Sequence, residues 1–190
     1  IITGLRAETT YTATLLNKSK KRGVQTFTTG IDIGDGILIK PTDDLSAKVT
    51  EAAPGATLVL EPGDYTVGSN NIILDKSITI RGLRSYDLPK LHVKFTVNAG
   101  TANLSLIDLD LDGTGLTDAY AISIAGANSN YDTISITGSV IHDYDRSLIY
   151  GNAATTKLQL FKIDNSIISR VNTKAGADFI DFRTAYVASI

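Results

Sequence analysis

The chain has 190 residues, 43% hydrophobic and 20% charged, enough for a domain with its own core and a smaller piece beside it. Its formal net charge of −2 offers no basic footprint for nucleic acid, so no such partner is expected. Without cysteine it has neither disulfides nor thiolate metal sites, and no stretch of 18 apolar residues is present to span a membrane.

The chain contains no Met and opens mid-pattern at Ile1-Ile2-Thr3-Gly4-Leu5, as expected of a piece of a longer polypeptide. Residues 9–15 alternate at period two, Asn17-Lys-Ser-Lys-Lys-Arg-Gly23 reads as a polar loop, and residues 24–29 alternate again, which predicts a β-hairpin. Gly4-Leu5, Thr10-Tyr11 opening one strand and Phe27-Thr28-Thr29 closing the other resemble the last two strands of a fibronectin type III domain. Residues 1–30 are therefore expected to be a partial domain of that kind, and residues 31–37, rich in Gly and Asp, a linker.

A helix follows. Asp43 or Asp44 can cap it, Leu45, Val49 and Ala52 or Ala53 form its apolar stripe, and Pro54-Gly55 stops it. Thr57-Leu-Val-Leu60, a Pro62-Gly63 turn, Tyr65-Thr-Val67, Ile72-Ile-Leu74 and Ser77-Ile-Thr-Ile-Arg-Gly82 complete a first winding.

From Leu91 onward short alternating segments recur. One series comprises residues 91–97, 120–126, 147–152 and 178–183; an offset series comprises 104–111, 134–141 and 158–163, continuing into Ile167-Ile168, with a further member at 186–190. Two interleaved series with a shared period describe a chain that winds, each coil sharing its apolar interior with the next.

The helix, followed by Pro54-Gly-Ala-Thr-Leu-Val-Leu-Glu-Pro-Gly-Asp-Tyr-Thr-Val67 and Lys76-Ser-Ile-Thr-Ile-Arg-Gly82, resembles the N-terminal cap and first coil of right-handed parallel β-helix proteins of the pectate-lyase superfamily. Within it the layout is similar to chondroitinase-B-like and alginate-lyase-like proteins and to bacterial surface proteins that place a fibronectin type III domain before a β-helix. The resemblance implies an all-β fold over residues 38–190: a right-handed parallel β-helix with an N-terminal capping helix, about four coils being visible and more continuing beyond Ile190.

Function in such a fold lies on outward positions and flanking loops. In residues 104–111 the apolar positions 104, 106, 109 and 111 point inward, with a phase slip near Ile107, which leaves Asp108, Asp110 and Asp112 outward. These carboxylates are candidate calcium ligands, or a solvated acidic face. His142-Asp-Tyr-Asp-Arg146 is the densest cluster of functional groups: His142, Asp143 and Asp145 suit proton transfer, or a polar corner in which Asp side chains bind backbone amides. Asp143 with Asp145, and Asp178 with Asp181, are the carboxylate pairs open to hydrolase chemistry. Asn165-Ser166 and Asn152 read as structural corner residues. The outward residues of the first series are Lys94, Ser123, Tyr150 or Ile149 depending on phase, and Asp181 with Arg183.

The resemblance to polysaccharide lyases implies that a calcium ion or basic group neutralises a uronate carboxylate while Lys or Arg removes the C5 proton. Arg183 with Lys162, Arg170 or Lys174 is the basic grouping available. The calcium set of chondroitinase-B-like enzymes is rich in Glu; here Glu8, Glu51 and Glu61 are the only glutamates, so no catalytic role is carried over. Arg146, Tyr150, Lys162 and Arg170 remain candidates for substrate binding. The resulting expectation is a secreted, cell-surface or periplasmic bacterial module, monomeric, engaging a complex polysaccharide with lyase or hydrolase activity open. The alternative is a non-catalytic adhesive stalk with protein partners.

Overall fold

The computed structural model describes residues 4–6, 8–176, 178–183 and 185–190; Ile1, Ile2 and Thr3, which opened the sequence pattern, lie outside the described residues. The chain forms two compact units, one up to Gly34 and one from Asp35 onward.

The first unit is the expected hairpin, of β1 (Thr10–Asn17) and β2 (Lys20–Thr28), paired antiparallel with a register shift between Leu15 and Leu16. The connection is shorter than the sequence pattern implied: only Lys18 and Ser19 lie between the strands, with Lys18 at φ 54°, and the run taken as a loop continues the ladder. Tyr11 and Phe27, directly opposite, stack with centroids 6.0 Å apart.

The second unit is a parallel β-solenoid. After β3 (Ile37–Ile39) comes α1 (Leu45–Glu51), capped by Asp44, whose carboxylate accepts from the Ala47 N–H at 3.1 Å. Its buried face, Leu45 and Val49, packs against the following coil. Five windings follow: β4 (Thr57–Leu60) with β5 (Asp64–Leu74); β6 (Ile78–Gly82) with β7 (Lys90–Val97); β8 (Asn103–Ile107), β9 (Asp110–Asp112) and β10 (Ile122–Ile124); β11 (Asn130–Thr137), β12 (Val140–His142) and β13 (Ile149–Gly151); and β14 (Lys157–Asp164), β15 (Ile167–Ser169) and β16 (Ile180–Phe182), before β17 (Tyr186–Ser189). The early coils carry two strands, the second of them long. In the later coils the second strand divides, so that the first half of β7 pairs with β9 and its second half with β10. Three series therefore wind together where the alternation showed two.

All solenoid pairings are parallel, and the inward residues stack in columns. Leu58, Ile80, Leu106, Ile136 and Ile163 stand in register on one wall; Tyr65, Leu91, Leu111, Ile141 and Ile168 on a second; Ile72, Phe95, Ile122, Ile149 and Ile180 on a third. Each coil thus covers the apolar edge of its neighbour, which is why none is stable alone.

The phase slip near Ile107 is a corner. Asp108-Leu109, Gly138-Ser139 and Asn165-Ser166 each turn the chain in two residues, with the first in the left-handed region at φ 53°, 62° and 45°. Ser139 and Ser166 tie the corners together: the Leu109 N–H donates to Ser139 Oγ (3.1 Å) and the Ser139 N–H to Ser166 Oγ (3.2 Å). Tyrosine is also a core residue. Tyr65, Tyr131 and Tyr144 are buried and donate to backbone carbonyls of other coils, Tyr144 to Val93 at 2.6 Å and Tyr65 to Ile39 at 3.0 Å. Burial pushes the Tyr144 and Tyr65 hydroxyls well above their ordinary titration range. Among the described residues no helix is long and apolar enough to cross a membrane.

Candidate functional site

The strands β7, β9, β12 and β15 lie side by side, and their outward positions form two columns. One runs Lys90, Asp110, Val140, Ile167; the pairs Asp112–His142 and His142–Ser169 continue the other, which His92 joins two residues after Lys90. Both histidines of the chain fall on this face. They flank Asp112, whose side chain is only 7% exposed: His92 Nδ1 stands 3.5 Å from Asp112 Oδ2 and His142 Nδ1 3.6 Å from Oδ1. The Thr114 N–H donates to Oδ1 at 2.8 Å, and Lys90 Nζ lies 3.9 Å from Oδ2. Burial disfavours charge on Asp112, but the hydrogen bonds from Thr114, with an electrostatic contribution from the His142 and His92 imidazoles, outweigh it and hold the carboxyl below its ordinary range.

His142 is gripped at both nitrogens. Nε2 meets Asp110 Oδ1 at 3.0 Å and Nδ1 meets Asp143 Oδ2 at 2.5 Å. Arg170 binds the same Asp143 in a forked pair, Nε to Oδ1 at 2.5 Å and Nη2 to Oδ2 at 2.6 Å, and pulls that carboxyl far below its usual range, with His142 adding to the effect. Asp143 and Arg170 follow His142 and Ser169 in the chain, both left-handed, at φ 61° and 49°. The coils approach closely here: a side chain at Gly113 would meet the Asp143 carbonyl oxygen at 2.6 Å.

The other sequence candidates are distributed elsewhere. Asp145 accepts from the backbone N–H groups of Ala119 (2.7 Å) and Asp118 (3.0 Å), so it braces a corner and does not pair with Asp143. Arg146 and Lys174 both bind Asp118, at 2.7 and 2.5 Å, linking three successive coils. Asp108 sits at its corner near Arg81 and does not join Asp110 and Asp112 in a common ligand set; burial raises its carboxyl, with Arg81 opposing. On the strands β10, β13 and β16, Ser123, Tyr150 and Asp181 share an outward register, and Ile149 is buried. Tyr150 stacks on Tyr120 (centroids 4.4 Å apart, planes at 23°), and the Arg183 guanidinium lies 5.9 Å from the Tyr150 ring centre while pairing with the buried Asp181 at 3.1 Å. Asp178 is exposed, so the two carboxylates occupy different surroundings. Lys162 lies on β14 in the other sheet and pairs with Asp164 at 3.4 Å. The four cations grouped from the sequence are thus separated, each on its own carboxylate: Lys162 on Asp164, Arg170 on Asp143, Lys174 on Asp118 and Arg183 on Asp181.

Sequence reasoning did not single out His92. The available signal was its parity with Lys94, already read as outward, and the presence of only one other histidine in the chain.

Comparison with known proteins finds no match among curated proteins. Among solved structures, a mutant of the PL6 family alginate lyase AlyGC is similar, at 16% identity over 80% of this chain, with a TM-score of 0.44. This chain spans about a third of that structure's length, 32%. Residues 63–190, which hold every coil from β5 onward and the whole His–Asp face, match the family described as a domain of unknown function, DUF4957, and the chain belongs to that family.

Proposed function

We propose that this chain is a polysaccharide-interacting module of a secreted or surface-attached bacterial protein. It is read as a right-handed β-helix of the pectate-lyase-like superfamily, preceded by the end of a fibronectin type III domain. The right-handed sense is the one that parallel crossover connections adopt. A glycan-engaging face is distinguished from a stalk by a groove lined with Arg or Lys, Asp and Tyr side chains converging from at least three coils. Such convergence is the single observation that supports this reading: Tyr120, Tyr150 and Arg183 come together from three successive coils, and His92, Asp112, His142 and Arg170 from four. A rigid ladder of outward groups at about 4.8 Å per coil suits an extended polymer laid along the stack. Within this reading Arg183, Tyr150 and Arg170 contact the glycan, and a lyase or hydrolase step would draw on His142 with Asp143 for proton transfer.

The test is affinity electrophoresis of the chain in gels cast with uronic-acid and neutral polysaccharides, paired with ultraviolet absorbance of unsaturated uronate products with and without calcium. Retardation in at least one gel, abolished by Tyr150→Ala combined with Arg183→Ala, is the expected result. No retardation and no absorbance across the panel would leave the alternative, an adhesive stalk. That second reading draws on the Asp118–Arg146–Lys174 ladder, whose cross-coil ion pairs stiffen the same side of the winding.

A further inference from the structure

The contacts of His142 pose a problem of hydrogen-bond bookkeeping. Asp110 takes the proton of Nε2, at 3.0 Å. That leaves Nδ1 facing two carboxylates, Asp143 at 2.5 Å and Asp112 at 3.6 Å. A lone pair aimed at two anions is repelled by both, so something positive must lie between them: a second proton on the ring, or a metal ion. A histidine whose far N–H is held by a carboxylate, with its other nitrogen turned toward acidic ligands, has the arrangement that orients imidazole for a metal.

From this we infer that Asp112, His142 and Asp143 form a binding site for one divalent transition-metal ion of the zinc class, with Asp110 and His92 holding the ligands in place. One oxygen or nitrogen from each of the three ligands lies within 4.8 Å of the others. Two ligands on a tetrahedral ion with bonds of about 2.0–2.2 Å stand about 3.3–3.6 Å apart, and Asp112 Oδ1 and His142 Nδ1 already have that separation at 3.6 Å. Asp112 is fixed by burial and by the Thr114 N–H, and His92 steadies its second oxygen. The Asp143 carboxylate must back away from Nδ1 by about 1 Å to share an ion. It is free to do so once Arg170 lets go. Arg170 has a side chain 62% exposed and rests on Asp143 from the solvent side, where it acts as the resident cation that a metal displaces. The two ligand carboxylates balance the ion's charge. Imidazole in the set favours zinc, copper, iron or nickel over calcium and magnesium, which take oxygen ligands. Three protein ligands leave a coordination position open toward solvent.

The site does not depend on the glycan reading, and its test involves no sugar. The untagged chain, stripped with a chelator, is titrated with Zn2+, and separately with Ca2+, by calorimetry and by competition with a chromophoric chelator. One Zn2+ per chain is expected, bound at least 10-fold more tightly than Ca2+. His142→Gln and Asp112→Asn should each weaken Zn2+ at least 10-fold, and Asp110→Asn, acting through the far nitrogen, about 10-fold. Circular dichroism of the stripped variants identifies any that lose the fold. Arg170→Ala carries the decisive arm, because removing a surface cation leaves the fold in place: it should bind Zn2+ more tightly than the parent chain. Absence of saturable binding, equal affinity for Ca2+, unchanged binding by a folded His142→Gln, or weaker binding by Arg170→Ala would each overturn the site and identify the second proton as what fills the gap.

Discussion

Two outward columns on the same coils have very different chemistry. On β6, β8, β11 and β14 the register runs Thr79, Ser105, Ser135, Lys162, and the contact is one hydroxyl pair, Ser105 to Ser135 at 3.1 Å. Around the tight corner, β7, β9, β12 and β15 present His92, Asp112, His142 and Ser169, the first three linked into one charged network with Asp110, Asp143 and Arg170. Strand spacing is common to both faces, so the winding alone does not make a site. What differs is the residue at the corner that follows. Both faces end in left-handed corners, but Asp108, Gly138 and Asn165 follow β8, β11 and β14, whereas Asp143 and Arg170 follow β12 and β15, Asp143 turning back onto His142 and Arg170 reaching Asp143 of the preceding coil.

The comparison can be broken most forcefully from inside. Ile136→Ala, inside one of the three apolar columns, should cost about 2–5 kcal/mol in urea unfolding. Amide exchange should then rise on both faces together, since they share one core; loss confined to one face would show that they fold separately. Gly113→Ala comes next, about 1–3 kcal/mol, because the added methyl runs into the Asp143 carbonyl. Its effect on exchange should be concentrated at the His142 corner and leave Ser135 protected. Tyr144→Phe removes the hydrogen bond to Val93 under that corner and should lower stability by about 1 kcal/mol, read from the thermal midpoint. Ser135→Ala, on the face of β8 and β11, should stay within about 0.5 kcal/mol of the parent chain. The smallest effect concerns Asp118, whose carboxyl is held below its ordinary value of 3.8 by hydrogen bonds from Lys174 and Arg146. A lowered carboxyl stabilises the fold above its unfolded pKa, and that stabilisation disappears as pH falls through the carboxylate range. The difference in unfolding midpoint between the parent and Asp118→Asn should therefore shrink on acidification, and also in high salt, because the pair is exposed.

The winding was legible because each coil repeats its own short alternation: Leu104, Leu106, Leu109 and Leu111 were placed inward, and all four are buried. The third series was hidden because its three-residue strands follow the preceding ones after two residues, so Asp110–Asp112 read as the tail of β8 and not as a separate element. His92 escaped notice for a related reason. Its column partners lie 20 and then 30 residues along, positions 112 and 142, and unequal steps defeat a search for one period. The cations were misgrouped because proximity in the chain says little about proximity across a corner, where Lys162 and Arg170 part onto different sheets. Buried tyrosines were invisible to composition, since what draws each hydroxyl inward is a carbonyl from a distant coil, 51 residues away for Tyr144.

The tight turns at Asp108-Leu109, Gly138-Ser139 and Asn165-Ser166 limit where the polypeptide can change length. Each uses a left-handed residue to pass from one sheet to the next at once, and the Ser139 and Ser166 hydroxyls tie each turn to its neighbour. An extra residue there would throw the next strand onto its other face and turn leucines toward water. The stretches between β9 and β10, β12 and β13, and β15 and β16 run 113–121, 143–148 and 170–179, already unequal, and the stack tolerates the difference. Growth and trimming of this molecule are therefore kept out of the tight turns and open to the flank beside His142 and Tyr150, where novelty can be added without unscrewing the thread.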